Sequence, residues 1–156
     1  MPEVHEYMSG EILSIIKKGF RYFKLLNIPI LGSNVKKRIF RVLRKCAPTK
    51  IKVEYAGTLI QESNICAVGE RVCNQLHEEA AFGESVFLDE LAKGMVEVGK
   101  ARFVDKNEAI QTIEKNRKYP IIITRVSGKY MEICRTLPKQ CIYWNSEKHG
   151  LKCIKR

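Results

Sequence analysis

Ile121-Ile122-Ile123-Thr124-Arg125-Val126, Ser127-Gly128 and Lys129-Tyr130-Met131-Glu132-Ile133-Cys134 read as one antiparallel hairpin. The two arms are rich in β-branched and aromatic residues, and the two-residue break between them carries a glycine, which supplies the positive φ of a tight turn. Working back from it, Pro120 closes a helix that opens at Asp105. Asp105 followed three residues later by Glu108 is an acidic form of the capping box; Ile110 and Ile113 face inward, and Lys115, Arg117 and Lys118 stand at the negative end of the helix dipole. Lys100–Val104 and Ser85–Leu88 read as strands, with a short helix over Asp89–Val98 between them, weakened by Gly94 and closed by Gly99. Downstream, Gln140–Trp144 and Leu151–Ile154 read as two further short strands.

Further back the reading rests on periodicity alone. Residues 69–81 space Val72, Cys73, Leu76 and Ala80 as a helix, and Lys50–Gln61 alternates as a strand with Gly57 as a bulge. The N-terminal third is helical. Ile12, Ile15, Ile16, Phe20, Phe23 and Leu26 recur at three- and four-residue steps across 9–26, with Ser9 as the cap; Val35, Ile39, Val42, Leu43 and Cys46 do so across 34–46, capped by Ser33. The expected architecture is α+β: a mixed sheet with a C-terminal antiparallel meander, preceded by two basic amphipathic helices. Residues 1–46 form a helical arm or hairpin and 50–156 the α+β domain, with Ala47–Thr49 as the hinge. There is no internal repeat or low-complexity segment.

Charge is sorted along the chain. Residues 1–52 carry a net +9, residues 53–115 a net −6 and residues 116–156 a net +8, within an overall +11. Basic ends around an acidic middle point to a polyanionic partner. The phosphate-contacting residues expected are Lys17, Lys18, Arg21 and Lys24 on the first helix; Lys36, Lys37, Arg38, Arg41, Arg44 and Lys45 on the second; and Arg117, Lys118, Lys129 and Trp144 near the C-terminus. Six cations on the second helix, with no acid within four residues, repel one another and therefore serve something outside it. The proline-containing link between the two helices is too long for a sequence-reading helix-turn-helix, so contact by backbone or shape is expected. Tyr119, Tyr130, Tyr143 and Trp144 alternate with Lys118, Lys129, Lys139, Lys148 and Lys152, a pattern that stacks unpaired bases when the rings are exposed and builds a sheet core when they are not.

Lys18-Gly19-Phe20-Arg21-Tyr22-Phe23-Lys24 resembles the RNA-recognition-motif consensus over these seven residues only, with Arg21 where the motif has a small residue. The helical period through Ile12–Leu26 assigns it to a helix, whereas the motif lies on a strand.

The remaining chemistry is sparse. Cys134, Cys141, His149 and Cys153 are four zinc-type ligands in one short stretch, and Cys66, Cys73 and His77 are three more, but neither set has a paired-cysteine knuckle. No cofactor is expected beyond such a structural zinc. Cys73 and His77 lie one helical turn apart, the spacing of a nucleophile and its base. Glu78, Glu79, Glu84, Asp89 and Glu90 form an acidic cluster that a divalent cation would suit. No apolar run approaches the ~20 residues of a membrane span. The N-terminus lacks the layout of a secretory signal, so reduced thiols in an intracellular compartment, cytoplasmic or nuclear, are expected.

Three functions follow in order. The first is a non-catalytic nucleic-acid-associated protein, RNA-directed and part of a larger complex. The second is a protein–protein adaptor or small subunit, whose docking grease would be Phe20, Phe23, Leu25, Ile28 and Phe40. The third is a metal-dependent, nuclease-like enzyme.

Overall fold

A computed structural model describes residues 2–25, 32–77 and 83–156, without the side chains of residues 24, 25, 32, 33 and 35. In chain order the elements are α1 (Val4–Met8), α2 (Glu11–Leu25), α3 (Gly32–Lys45), β1 (Thr49–Ile51), α4 (Val53–Glu62), β2 (Cys66–Glu70), a 3-10 turn (Val72–Leu76), β3 (Glu84–Leu88), α5 (Asp89–Glu97), β4 (Ala101–Val104), α6 (Lys106–Glu114), β5 (Ile121–Val126), β6 (Lys129–Arg135) and α7 (Ile142–Lys148). The fold is α+β. Among the described residues six strands run in the order β1-β5-β6-β3-β2-β4, and every pair of named strands is antiparallel, where a mixed sheet was expected.

The hairpin is as read. Val126 pairs with Lys129, and Ser127 (φ 47°) and Gly128 (φ 88°) both turn with positive φ, the signature of a type I′ turn. Thr124 pairs with Glu132 but Arg125 pairs with Tyr130, so Met131 is an extra residue in β6, a bulge. The capping aspartate holds too: Asp105 Oδ1 accepts from the Glu108 amide at 2.8 Å. Glu108, however, pairs with Arg102 of β4 rather than closing the box.

Four readings are corrected. Lys50–Gln61 is not one strand: β1 ends at Ile51 and α4 follows, because Ala56 and Ile60 are both buried and sit one turn apart on one helix face. Residues 69–77 are not helical beyond the 3-10 turn, and Gly69 and Glu70 belong to β2; residues 78–82 lie outside the described residues. Cys66, Ala67 and Val68 are all buried because β2 is an inner strand, paired with β3 and β4 and covered on both faces. Gln140–Trp144 is not a strand: Gln140 ends a turn, Cys141 precedes α7 and Ile142–Trp144 open it, where Ile142 and Ser146 are buried at a four-residue step. Leu151–Ile154 forms no strand; Lys155 makes one isolated parallel bridge to Thr49.

Helices cover both faces of the sheet. On one, Ile121, Ile123, Ile133, Val86, Leu88 and Val68 pack against Ala56 and Ile60 of α4 and Ala109 and Ile113 of α6. On the other there are two clusters. Ala67, Phe87, Val126 and Met131 meet Tyr7 of α1, Ile12 of α2, and Leu91, Ala92 and Met95 of α5. Ile122 meets Phe23 of α2, Ile39 and Leu43 of α3, and Ile142 of α7. The N-terminal helices therefore share cores with the sheet. The Ser127 amide also donates to the Pro2 carbonyl at 2.8 Å, tying the chain start to the hairpin turn. Among the described residues no helix is long and apolar enough to cross a membrane.

A candidate anion-binding face and the cavity beneath it

The basic face is set by how α2 and α3 spend their apolar sides. Ile39 and Leu43, one turn apart, are buried in the cluster with Ile122, and Phe23 of α2 joins them. A helix anchored on one stripe must turn the opposite stripe to solvent. Lys37, Arg38, Arg41, Arg44 and Lys45 are accordingly exposed on α3, with Lys36 half-buried, and Lys17, Lys18 and Arg21 are exposed on α2; the side chain of Lys24 lies outside the described residues. The three ion pairs among the described residues are Arg102–Glu108, Arg117–Glu114 and Arg156–Glu147, so none of these helix cations has a carboxylate partner among them. Arg44 lies over the Phe40 ring at 5.3 Å, which positions its guanidinium without neutralising it.

The C-terminal residues expected to join this face stand on other elements. Arg117 pairs with Glu114 at 3.2 Å and Lys118 lies over the Tyr119 ring, both just beyond α6, which covers the other face of the sheet. Lys129 is exposed beside the hairpin turn. Trp144 is half-buried against the Phe23 cluster, and its Nε1 donates to Thr136 Oγ1 at 2.9 Å, so its ring serves the core.

The zinc-type residues are likewise dispersed. Among the described residues no three His, Cys, Asp or Glu side chains are placed to share a metal ion. The Cys134 thiol contacts Ser85 Oγ at 2.8 Å and Glu132 Oε1 at 3.3 Å. Cys153 points at the Tyr143 carbonyl, and His149 stacks on Phe23 with ring centroids 5.0 Å apart. Burial pushes the Cys141 thiol up to about 11 and the Cys153 thiol up to about 12, and it raises Cys73 too, the reverse of what a nucleophile needs. His77 meets Phe20 edge-on at 5.5 Å rather than acting as a base for Cys73. Of the acidic cluster, Glu78 and Glu79 lie outside the described residues, while Asp89 Oδ1 accepts the Asn64 amide at 2.8 Å as a structural cap. The docking grease is largely consumed: Phe23 is buried and Phe20 and Phe40 are half-buried in the same cluster; Ile28 and the side chain of Leu25 lie outside the described residues.

Between α1, α2, α3 and α7 and the sheet lies a cavity of about 490 Å³. The sheet contributes Ile122, Thr124, Glu132 and Cys134, and the helices contribute Ile12, Ile15, Ile16, Ile39, Leu43 and Ile142. Glu132 is buried, with 7% of its surface exposed. Its Oε2 accepts from the Tyr7 and Thr124 hydroxyls, each at 2.8 Å. Burial, then the nearby carboxylate, pushes the Tyr7 phenol well above its ordinary range, so that it stays a donor. Gly19 lets α2 approach α7: a Cβ there would sit 3.0 Å from Ile142 Cδ1. Sequence reading missed this network. Its one signal is Glu132 itself, a lone acid among the apolar residues of a hairpin arm.

Comparison with protein-family models, with curated proteins and with solved structures finds no match to this chain.

Proposed function

We propose that this protein is a non-catalytic polyanion-binding protein, with RNA as the partner and a larger complex as its setting. One observation carries the reading: α3 buries Ile39 and Leu43 and presents five exposed cations that have no carboxylate partner among the described residues. Clustered cations cost free energy through mutual repulsion, and phosphates relieve that repulsion while releasing counterions. Backbone contact rather than base readout fits a face built mostly of lysines and arginines, with Phe20, Phe23 and Phe40 packed in the core cluster. Six free cysteines suit a reducing, intracellular compartment.

A protein partner is favoured at a different place. Phe103, 55% exposed, stands on the edge strand β4, far in the sheet order from the basic helices. The reading of a larger complex rests there.

The test is a pull-down from lysate with and without nuclease, followed by titration of the purified chain with unstructured RNA at several salt concentrations. Co-purifying RNA and an affinity that collapses as salt rises support the proposal. An affinity unchanged by salt refutes it.

A further inference from the structure

Buried Glu132 and three exposed helix cations, Lys18, Arg38 and Lys45, line one cavity. We infer that this cavity is a binding site for a single-chain amphiphile: an unbranched apolar body ending in a carboxylate or a phosphate. Its volume of about 490 Å³ falls within the ~300–1,000 Å³ of small-molecule sites. Ile15, Ile16, Leu43, Val72, Ile122 and Ile142 make apolar walls. Lining residues that are also exposed mark the mouth: Tyr22, Val42 and three cations, Lys18, Arg38 and Lys45.

The floor holds two buried charged groups, Glu132 and Arg71, and the protein engages both: the Arg71 guanidinium donates to the Arg135 carbonyl at 3.0 Å and to Asn74 Oδ1 at 3.2 Å. At the floor the buried Glu132 carboxylate accepts from Tyr7, Thr124 and the Cys134 thiol. Three donors use most of the roughly four lone-pair positions of a carboxylate, so the floor needs no polar group from a ligand. The other acid on the lining, Glu6, accepts the Glu3 amide at 2.6 Å. At the mouth the three cations have no carboxylate partner among the described residues. With the floor charges engaged by the protein, an anionic head is held by the cations at the mouth, and the chain enters tail first. A cationic head is repelled there, and a neutral one gains nothing at the mouth. Each methylene buried in the walls adds about fourfold in affinity until the cavity is full.

A free amphiphile and the same headgroup in a membrane share this chemistry, so the test separates them. Calorimetric titration of the full chain uses monomeric dodecanoate, dodecyl phosphate, dodecanol and dodecylammonium, with flotation on anionic phospholipid vesicles in parallel. Dodecanoate and dodecyl phosphate bind once per chain. Dodecanol binds about tenfold more weakly, the loss expected for one charge-assisted contact, and dodecylammonium more weakly still. Exchanging Lys18, Arg38 and Lys45 for Gln brings dodecanoate down to the level of dodecanol. Val42→Trp plugs the mouth without altering charge, and lowers uptake of every chain while leaving RNA binding unchanged. Dodecanol binding as tightly as dodecanoate overturns the inference, as does a folded Val42→Trp variant that binds like the parent, or vesicle binding without uptake of monomer. If Val42→Trp does not fold, the exposed Gln variant still decides the matter. Neither the dodecanol comparison nor the plugged mouth involves RNA, so failure here and failure of the RNA reading are distinguishable.

Discussion

Reversing Lys37, Arg41 and Arg44 together to Glu separates a face built for a partner from one built for the fold. The three sit at four- and three-residue steps along α3, on one exposed strip. With eight exposed cations on α2 and α3 among the described residues, and about 0.7 counterion released per phosphate on a single strand, log K against log salt has a limiting slope between about −5 and −6. Removing three of those contacts makes the slope shallower by about 2. The structural cost is small. An exposed substitution off the apolar stripe stays within about 0.5 kcal/mol, and losing the Arg44–Phe40 contact adds about 0.5–1 kcal/mol. For a chain of 156 residues each kcal/mol moves the melting temperature by about 2–4 °C. The assay is fluorescence anisotropy with labelled unstructured RNA across a salt series, beside a thermal melt of the same variant. An unchanged slope refutes the assignment of this strip to phosphate. A melting temperature lowered by more than about 10 °C refutes the premise that the three side chains are off the core.

Other outcomes are expected of the core. Ile123 is fully buried between β1 and β6, and Ile123→Ala lowers unfolding free energy by about 2–5 kcal/mol in chemical denaturation. Gly69→Ala destabilises by about 1–3 kcal/mol, because the new Cβ would stand 2.6 Å from Ala101 Cβ and 2.7 Å from Ala101 Cα, and this backbone contact between β2 and β4 cannot yield as a flexible side chain would. The buried thiols make the fold sensitive to alkali. The unfolded chain loses its thiol protons first, while Cys141 holds its proton to about 11 and Cys153 to about 12, so stability is intact below the ordinary thiol range and falls as pH rises from about 9 toward 11 and beyond. A denaturation series over that range shows the decline, and alkylation at neutral pH finds Cys141 unreactive until the chain unfolds. Arg135 donates to the Ile113 and Tyr119 carbonyls at 2.9 and 2.7 Å, and Arg135→Met strands those acceptors at a cost of about 1–3 kcal/mol.

The sequence alone determined the elements whose information is local. The β5–β6 turn needs two residues of positive φ, and Ser127-Gly128 accepts them; the Asp105 cap depends on an amide three residues away; the stripes of α2 and α3 repeat within each helix. Each is decided inside a few residues of chain; the turn and the cap are found where the pattern places them, and of the stripes Ile12, Phe23, Ile39 and Leu43 are buried while Val42 is exposed. The basic face was legible for the same reason, since a helix that buries Ile39 and Leu43 must expose Lys37 and Arg41.

Tertiary structure decided the rest. Val53–Glu62 satisfies two periodicities, and only the burial of Ala56 and Ile60 under the sheet selects the helix. The run Cys66-Ala67-Val68 has no alternation to read, because an inner strand covered on both faces has no solvent side. Most of all, the bulge at Met131 lets Met131 pack with the α5 cluster while the next residue, Glu132, still faces the cavity. Tyr7, 125 residues from Glu132 in the chain, then donates to it. No local pattern encodes such a contact, because its free energy depends on a desolvated space that exists only after α1, α2, α3 and α7 have closed over the sheet.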